Sequence, residues 1–153
     1  MIPKDPVTRL RLGVVGLGRA FSLMLPTLAG DPRIELVAGA DPRPEAREKF
    51  AADLGAKAFD SMDKLCAEPA VEVVYIATPH QFHAPHAIMA AEHGKHVICE
   101  KPMATTLDEA NRMVEAVERN GVLYVLARNR LFALQQGATG KPATPRQMEH
   151  AGE

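Results

Sequence analysis

Six short apolar runs recur along this chain, and segments of helical period separate each from the next. The runs are 10–15, 35–40, 56–59, 71–77, 96–99 and 123–126, several of them apolar almost throughout, as strands covered on both faces must be. The helical segments are 19–28, 44–54, 62–67, 84–93 and 107–120. Strand and helix in strict alternation mean βαβ units around a parallel sheet, so the pattern predicts an α/β fold in a single domain. The sheet is expected to be doubly wound and mostly parallel, with about six strands.

Punctuation agrees with this count. Thr106 followed by Glu109 reads as a capping box at the start of the last helix, and Gly121 as its stop. Gly30, Gly55 and Gly94 are expected to stop earlier helices. In segment 107–120, Met113, Val114 and Val117 form the apolar stripe. The chain has 153 residues, 46% of them hydrophobic, enough to bury roughly 70% of its unfolded surface without disulfides or metal. From 135 to 153, glycine, proline and polar residues surround Met148, the one large apolar side chain there, so a mobile tail is expected over 134–153. Residues 1–8 read as an N-terminal extension.

Charge excludes whole classes of partner. Lys and Arg number 18 against 19 Asp and Glu, a net charge of −1, and no stretch concentrates one sign. Nucleic acid and anionic membrane are therefore not expected partners. No run approaches the ~18 apolar residues of a membrane helix, and 1–9 lacks the apolar core of a leader. Cys66 and Cys99 stand in apolar contexts, as free buried thiols do in a reducing compartment. A cytoplasmic location is the expectation.

Gly16-Leu17-Gly18 follows the first strand and opens a helix, the context in which a glycine turn means dinucleotide binding in a Rossmann-like fold. Such a turn must be tight, and the backbone must admit a pyrophosphate to the free N–H groups of Gly18, Arg19 and Ala20. Phe21 stands where a third small residue is usual, which implies a wider helix crossing or a helix turned so that Ala20 makes the contact. The second strand ends at Asp41, placed to accept the ribose hydroxyls of NAD, although an N-cap role fits it too. Arg43 is placed to pair with the 2′-phosphate of NADP, which leaves NAD and NADP both open.

Ligands of an open parallel sheet lie beyond the carboxyl ends of its strands, here Ala77-Thr78-Pro79-His80 with His83 after the fourth and Glu100-Lys101-Pro102 after the fifth. With G-L-G-R after the first strand, A-T-P-H-Q-F-H-A and C-E-K-P-M resemble the N-terminal domain of the Gfo/Idh/MocA family of NAD(P)-dependent oxidoreductases over residues 9–126. The resemblance implies a dinucleotide-binding domain at 9–133, with contacts from Gly16, Leu17, Gly18, Arg19, Ala20, Asp41, Arg43, Ala77, Thr78, Pro79, His80, His83, Glu100 and Lys101. It implies hydride transfer to or from a hydroxyl or carbonyl carbon of a sugar, cyclitol or related small molecule, with Lys101 and His83 as catalytic residues. A cation beside the reacting oxygen stabilises its developing charge, which independently suits Lys101.

His80, His83 and His86 form an H-x-x-H-x-x-H run, but such helical positions turn through too wide an arc to converge on one ion, so no metal is expected. The family carries a second, larger domain that supplies the substrate pocket, and no resemblance to it follows residue 133. A truncated dinucleotide-binding module without catalysis of its own is therefore the alternative reading. A domain that lost such a neighbour exposes a sheet edge, so self-association or a completing partner chain is expected.

Overall fold

A computed structural model describes residues 8–127. Each apolar run forms a strand: β1 (Leu10–Val15), β2 (Ile34–Ala40), β3 (Lys57–Phe59), β4 (Val73–Ile76), β5 (His96–Glu100) and β6 (Tyr124–Ala127). Between them lie α1 (Arg19–Gly30), α2 (Pro44–Leu54), α3 (Met62–Ala67), α4 (His83–Glu92) and α5 (Leu107–Asn120), with a 3-10 turn, His80–Phe82, leading into α4. All pairings are parallel in the order β3-β2-β1-β4-β5-β6, the doubly wound Rossmann arrangement expected from the alternation. The expected tail 134–153, segment 128–133 and all of the expected extension but Thr8 lie outside the described residues. Among the described residues no helix is long and apolar enough to cross a membrane.

Helix ends follow side-chain chemistry. Thr106 Oγ1 accepts the Glu109 N–H at 3.1 Å, while the Glu109 carboxylate reaches back to the Thr105 N–H at 2.9 Å, one residue earlier than in the usual box. Gly30 is the last residue of α1 rather than its stop; the chain turns at Asp31, whose carboxylate accepts the Arg33 N–H. In α5 the buried seam is Met113 and Ala116 with Val117 beside them, and Val114 points outward at 44% exposure.

Two apolar layers sandwich the sheet. Phe21 and Leu28 of α1 and Phe50 of α2 pack on Leu12, Val14, Val73 and Tyr75, whereas α3, α4 and α5 cover Val15, Val74, Ile76, Val97 and Cys99 on the other face. The Phe21 and Phe50 rings meet at a tilt of 51° with centroids 5.8 Å apart, and burial of each ring contributes about 2 kcal/mol. Phe21, not Ala20, therefore makes the buried helix–sheet contact; Ala20 lies at its margin.

The register of β2 makes room for this. Leu12 pairs with Leu36 but Gly13 with Ala38, so Val37 is an extra residue, and it packs on the same face as Ala38. That shift turns Gly39 toward α2, where a Cβ would lie 2.8 Å from the Phe50 ring. It also sets the phase in which β2 delivers Asp41.

Candidate functional site

The strand order reverses between β1 and β4, and a cleft of about 580 Å³ opens there beyond their carboxyl ends. Gly16, Gly18, Arg19, Asp41, Arg43, Ala77, Thr78, Pro79 and His80 line it, together with Val15, Ala40, Pro42, Asp60, Ser61, Met62, Phe82 and His86. Leu17, Ala20, His83, Glu100 and Lys101 are not in its wall.

Gly16 makes the floor. Its φ is +89°, and a Cβ there would lie 2.7 Å from the Ala77 carbonyl oxygen, so only glycine lets β1 turn this close to the end of β4. The chain then enters α1, whose N-cap is Gly18; no side chain caps this end and its first turn holds no acidic residue. A twelve-residue helix thus presents uncapped N–H groups and the positive end of its dipole to the cleft, which fits the pyrophosphate of a dinucleotide.

At the end of β2, Asp41 is 5% exposed and four donors meet it. Oδ1 accepts Arg43 N–H and Nε, and Oδ2 accepts Leu17 N–H and Arg43 Nη2, each at 2.9 Å. Burial pushes the carboxyl upward, but the Arg43 side chain, its backbone N–H and the Leu17 N–H outweigh that and hold it below the usual carboxylate range. Arg47 Nη1 donates to the carbonyls of Asp41 and Pro42 at 2.8 Å, fixing the turn. The Arg43 side chain is 53% exposed.

The end of β4 forms the opposite wall. His86 Nδ1 lies 3.2 Å from Thr78 Oγ1, and the His86 ring stacks on Phe82 at 5.7 Å and 17°. Burial pushes His86 down to about 4, so it is neutral at pH 7. His83 has turned away: it is fully buried, with Nδ1 2.7 Å from the Pro102 carbonyl oxygen and Nε2 2.8 Å from that of Thr78. His80 meets the edge of His83 at 5.6 Å. Among the described residues no three His, Cys, Asp or Glu side chains are grouped to hold a metal.

At the end of β5, Glu100 is 6% exposed and accepts the Tyr75 hydroxyl. Burial, then this carboxylate, push the Tyr75 phenol upward, so it stays a donor. Lys101 is exposed just beyond, before a cis peptide to Pro102. Cys66 and Cys99 are free and buried, their thiols pushed up by burial to about 12 and about 11.

Three of the wall residues not singled out from sequence share an origin. Asp60-Ser61-Met62 follow β3 as Thr78-Pro79 follow β4, so the strand-end rule applied to the shortest strand finds them. Phe82 and His86 carried a signal only as part of the histidine run.

A family model described as an oxidoreductase family with an NAD-binding Rossmann fold matches residues 10–127. The chain is 49% identical over 124 residues to 1-carboxy-3-chloro-3,4-dihydroxycyclohexa-1,5-diene dehydrogenase of Comamonas testosteroni, covering 80% of this chain and 31% of that protein. It is 32% identical over 124 residues to the NADP(+) scyllo-inositol 2-dehydrogenase of Bacillus subtilis, covering 80% and 38%. The crystal structure of the WlbA dehydrogenase of Bordetella pertussis with NADH and UDP-GlcNAcA superposes with a TM-score of 0.79 at 34% identity, covering 83% of this chain and 37% of that one. The chain spans about a third of the length of these relatives.

Proposed function

The chain belongs to the Gfo/Idh/MocA oxidoreductase family, on its NAD-binding Rossmann domain, and from that premise we propose that the cleft binds NAD or NADP for hydride exchange with a hydroxyl or carbonyl carbon. The observation that carries the reading is the opening of the Gly16–Gly18 turn and the uncapped α1 terminus on the same cleft as the buried Asp41. The backbone N–H groups of the α1 terminus hold the pyrophosphate. Asp41 accepts the adenosine ribose hydroxyls once Arg43 gives way, since its four acceptor positions are filled in the free chain. Thr78, Pro79 and His80 wall the cleft beyond β4, while Leu17 donates its N–H to Asp41 and His83 holds the Thr78 carbonyl from behind. When bound, the cofactor takes or returns the hydride. Lys101 in its amine form accepts the proton of the reacting hydroxyl and becomes the cation beside that oxygen, or in the reverse direction returns the proton to the carbonyl oxygen.

The substrate class is a sugar, cyclitol or related small molecule, in keeping with the cyclic diol named for the Comamonas relative and the inositol named for the Bacillus one. Titration of NADH and NADPH, read by nicotinamide fluorescence in a chain without tryptophan, tests the cofactor site. Saturable enhancement is expected, tighter for NADH because ionised Asp41 repels a 2′-phosphate. Arg43→Gln removes the guanidinium that fills two acceptor positions of Asp41, so it is expected to bind NADH more tightly and NADPH more weakly. No enhancement with either nucleotide sinks the reading. Binding without turnover of any cyclic diol or polyol favours the alternative, a dinucleotide-binding module without catalysis of its own.

Self-association belongs to the same proposal. β6 has a strand on one side only among the described residues, and Leu123, Val125 and Leu126 are exposed at 69%, 54% and 38%. A second copy added along β6 pairs the open edge and buries these side chains. Sedimentation is expected to show a mass that rises with concentration and a Val125→Lys variant that stays monomeric; a wild-type monomer at every concentration contradicts it.

A further inference from the structure

We propose that Tyr75 and His83 are positioning residues that hold Lys101 from opposite faces of the sheet. β5 ends its ladder at Glu100, so Lys101 is the first residue that no strand pairing fixes. Both of its neighbours are nevertheless pinned. On the α1–α2 face, Tyr75 of β4 is 2% exposed and its hydroxyl donates to the buried Glu100 carboxylate. On the other face, His83 at the start of α4 sits with Nδ1 2.7 Å from the Pro102 carbonyl oxygen, while Nε2 meets that of Thr78 at 2.8 Å. With hydrogen on one ring nitrogen the imidazole donates to one of these carbonyls, and with hydrogen on both it donates to both.

A purely structural reading makes the Tyr75–Glu100 pair only the satisfaction of a buried carboxylate. Yet an apolar residue fills such a place at lower cost, and a buried polar pair brings directionality instead. Here the direction is specific: it ties the residue before Lys101 to β4, and His83 ties the residue after it to the turn that walls the cleft. The lysine side chain stays exposed while its backbone stays in register with the cleft. That Lys101 handles the reacting proton rests on the function proposed above; its anchoring does not.

Backbone order measured by 15N relaxation on the cofactor-free chain tests this. In wild type the Lys101 amide is expected near the rigid value of about 0.85, and a value below about 0.6 overturns the proposal without any variant. Tyr75→Phe, which removes only the hydroxyl, should lower that order toward about 0.6, and His83→Gln should do so from the other face. Glu100→Gln keeps an acceptor for Tyr75 and should retain most of the rigidity. Val14→Ala serves as the control: it loosens the core but should leave Lys101 at its wild-type order. An unchanged Lys101 in folded Tyr75→Phe, or an equal loss in Val14→Ala, overturns the proposal. Failure of NADH to bind counts against the cofactor site alone, because no cofactor is present in this measurement.

Discussion

His86 shows how one side chain couples the cleft to pH. Its pKa lies at about 4 in the folded chain, against about 6.5 unfolded, because burial disfavours the imidazolium. A lowered histidine pKa means that the unfolded chain binds more protons between those values. The contribution is therefore fully present above pH 6.5 and is lost as pH falls toward 4. With allowance for its partial exposure the effect is of order 2 kcal/mol. Thermal unfolding of wild type is expected to weaken over that window while His86→Asn shows a flatter profile; parallel profiles would refute the assignment. Residue types at strand ends were legible in the sequence, Asp41, Thr78 and Glu100 among them. Partners were not: Tyr75 reads as one more apolar strand residue, and only strand neighbours distant in sequence reveal that its hydroxyl meets Glu100. His83 and His86 stand three residues apart, yet one faces the core and the other the cleft.

At the scale of elements, the placement of strands and helices follows from the alternation, but the phase of β2 does not. A run such as Ile34–Ala40 is apolar on both faces, so its sequence does not mark where Val37 breaks step. That break puts Gly39 beneath Phe50, and Phe50 in turn packs on Phe21, the residue that departs from the usual glycine fingerprint. The three are one adjustment: a large residue in α1 is accommodated beside a ring that needs a strand position without a Cβ. Gly39→Ala is expected to force Phe50 outward and cost about 2 kcal/mol in chemical denaturation. It should also weaken NADH binding, since β2 and α2 bracket Asp41. Stability equal to wild type would mean that the α2 contact is looser than its 2.8 Å clearance implies.

For the whole molecule, β1 lies at the centre of the sheet although it comes first in the chain, and Leu12 is paired with Val73. The cleft wall is drawn from the turns after β1, β2, β3 and β4, each contributed by a different βα unit. Such a site has no counterpart in the unfolded chain. Nucleotide at a hundredfold its Kd is then expected to add about 2.7 kcal/mol, a rise in Tm of roughly 10 °C. An unchanged Tm at a concentration that saturates fluorescence would mean that binding survives loss of the sheet. The same central strand has a consequence for a chain still being made. β1 is made before β4 and waits, without its second neighbour, until the residues of β4 follow it. The pocket comes into being at the step that closes the middle of the sheet, so nucleotide is expected to hold only chains in which β4 has already joined β1.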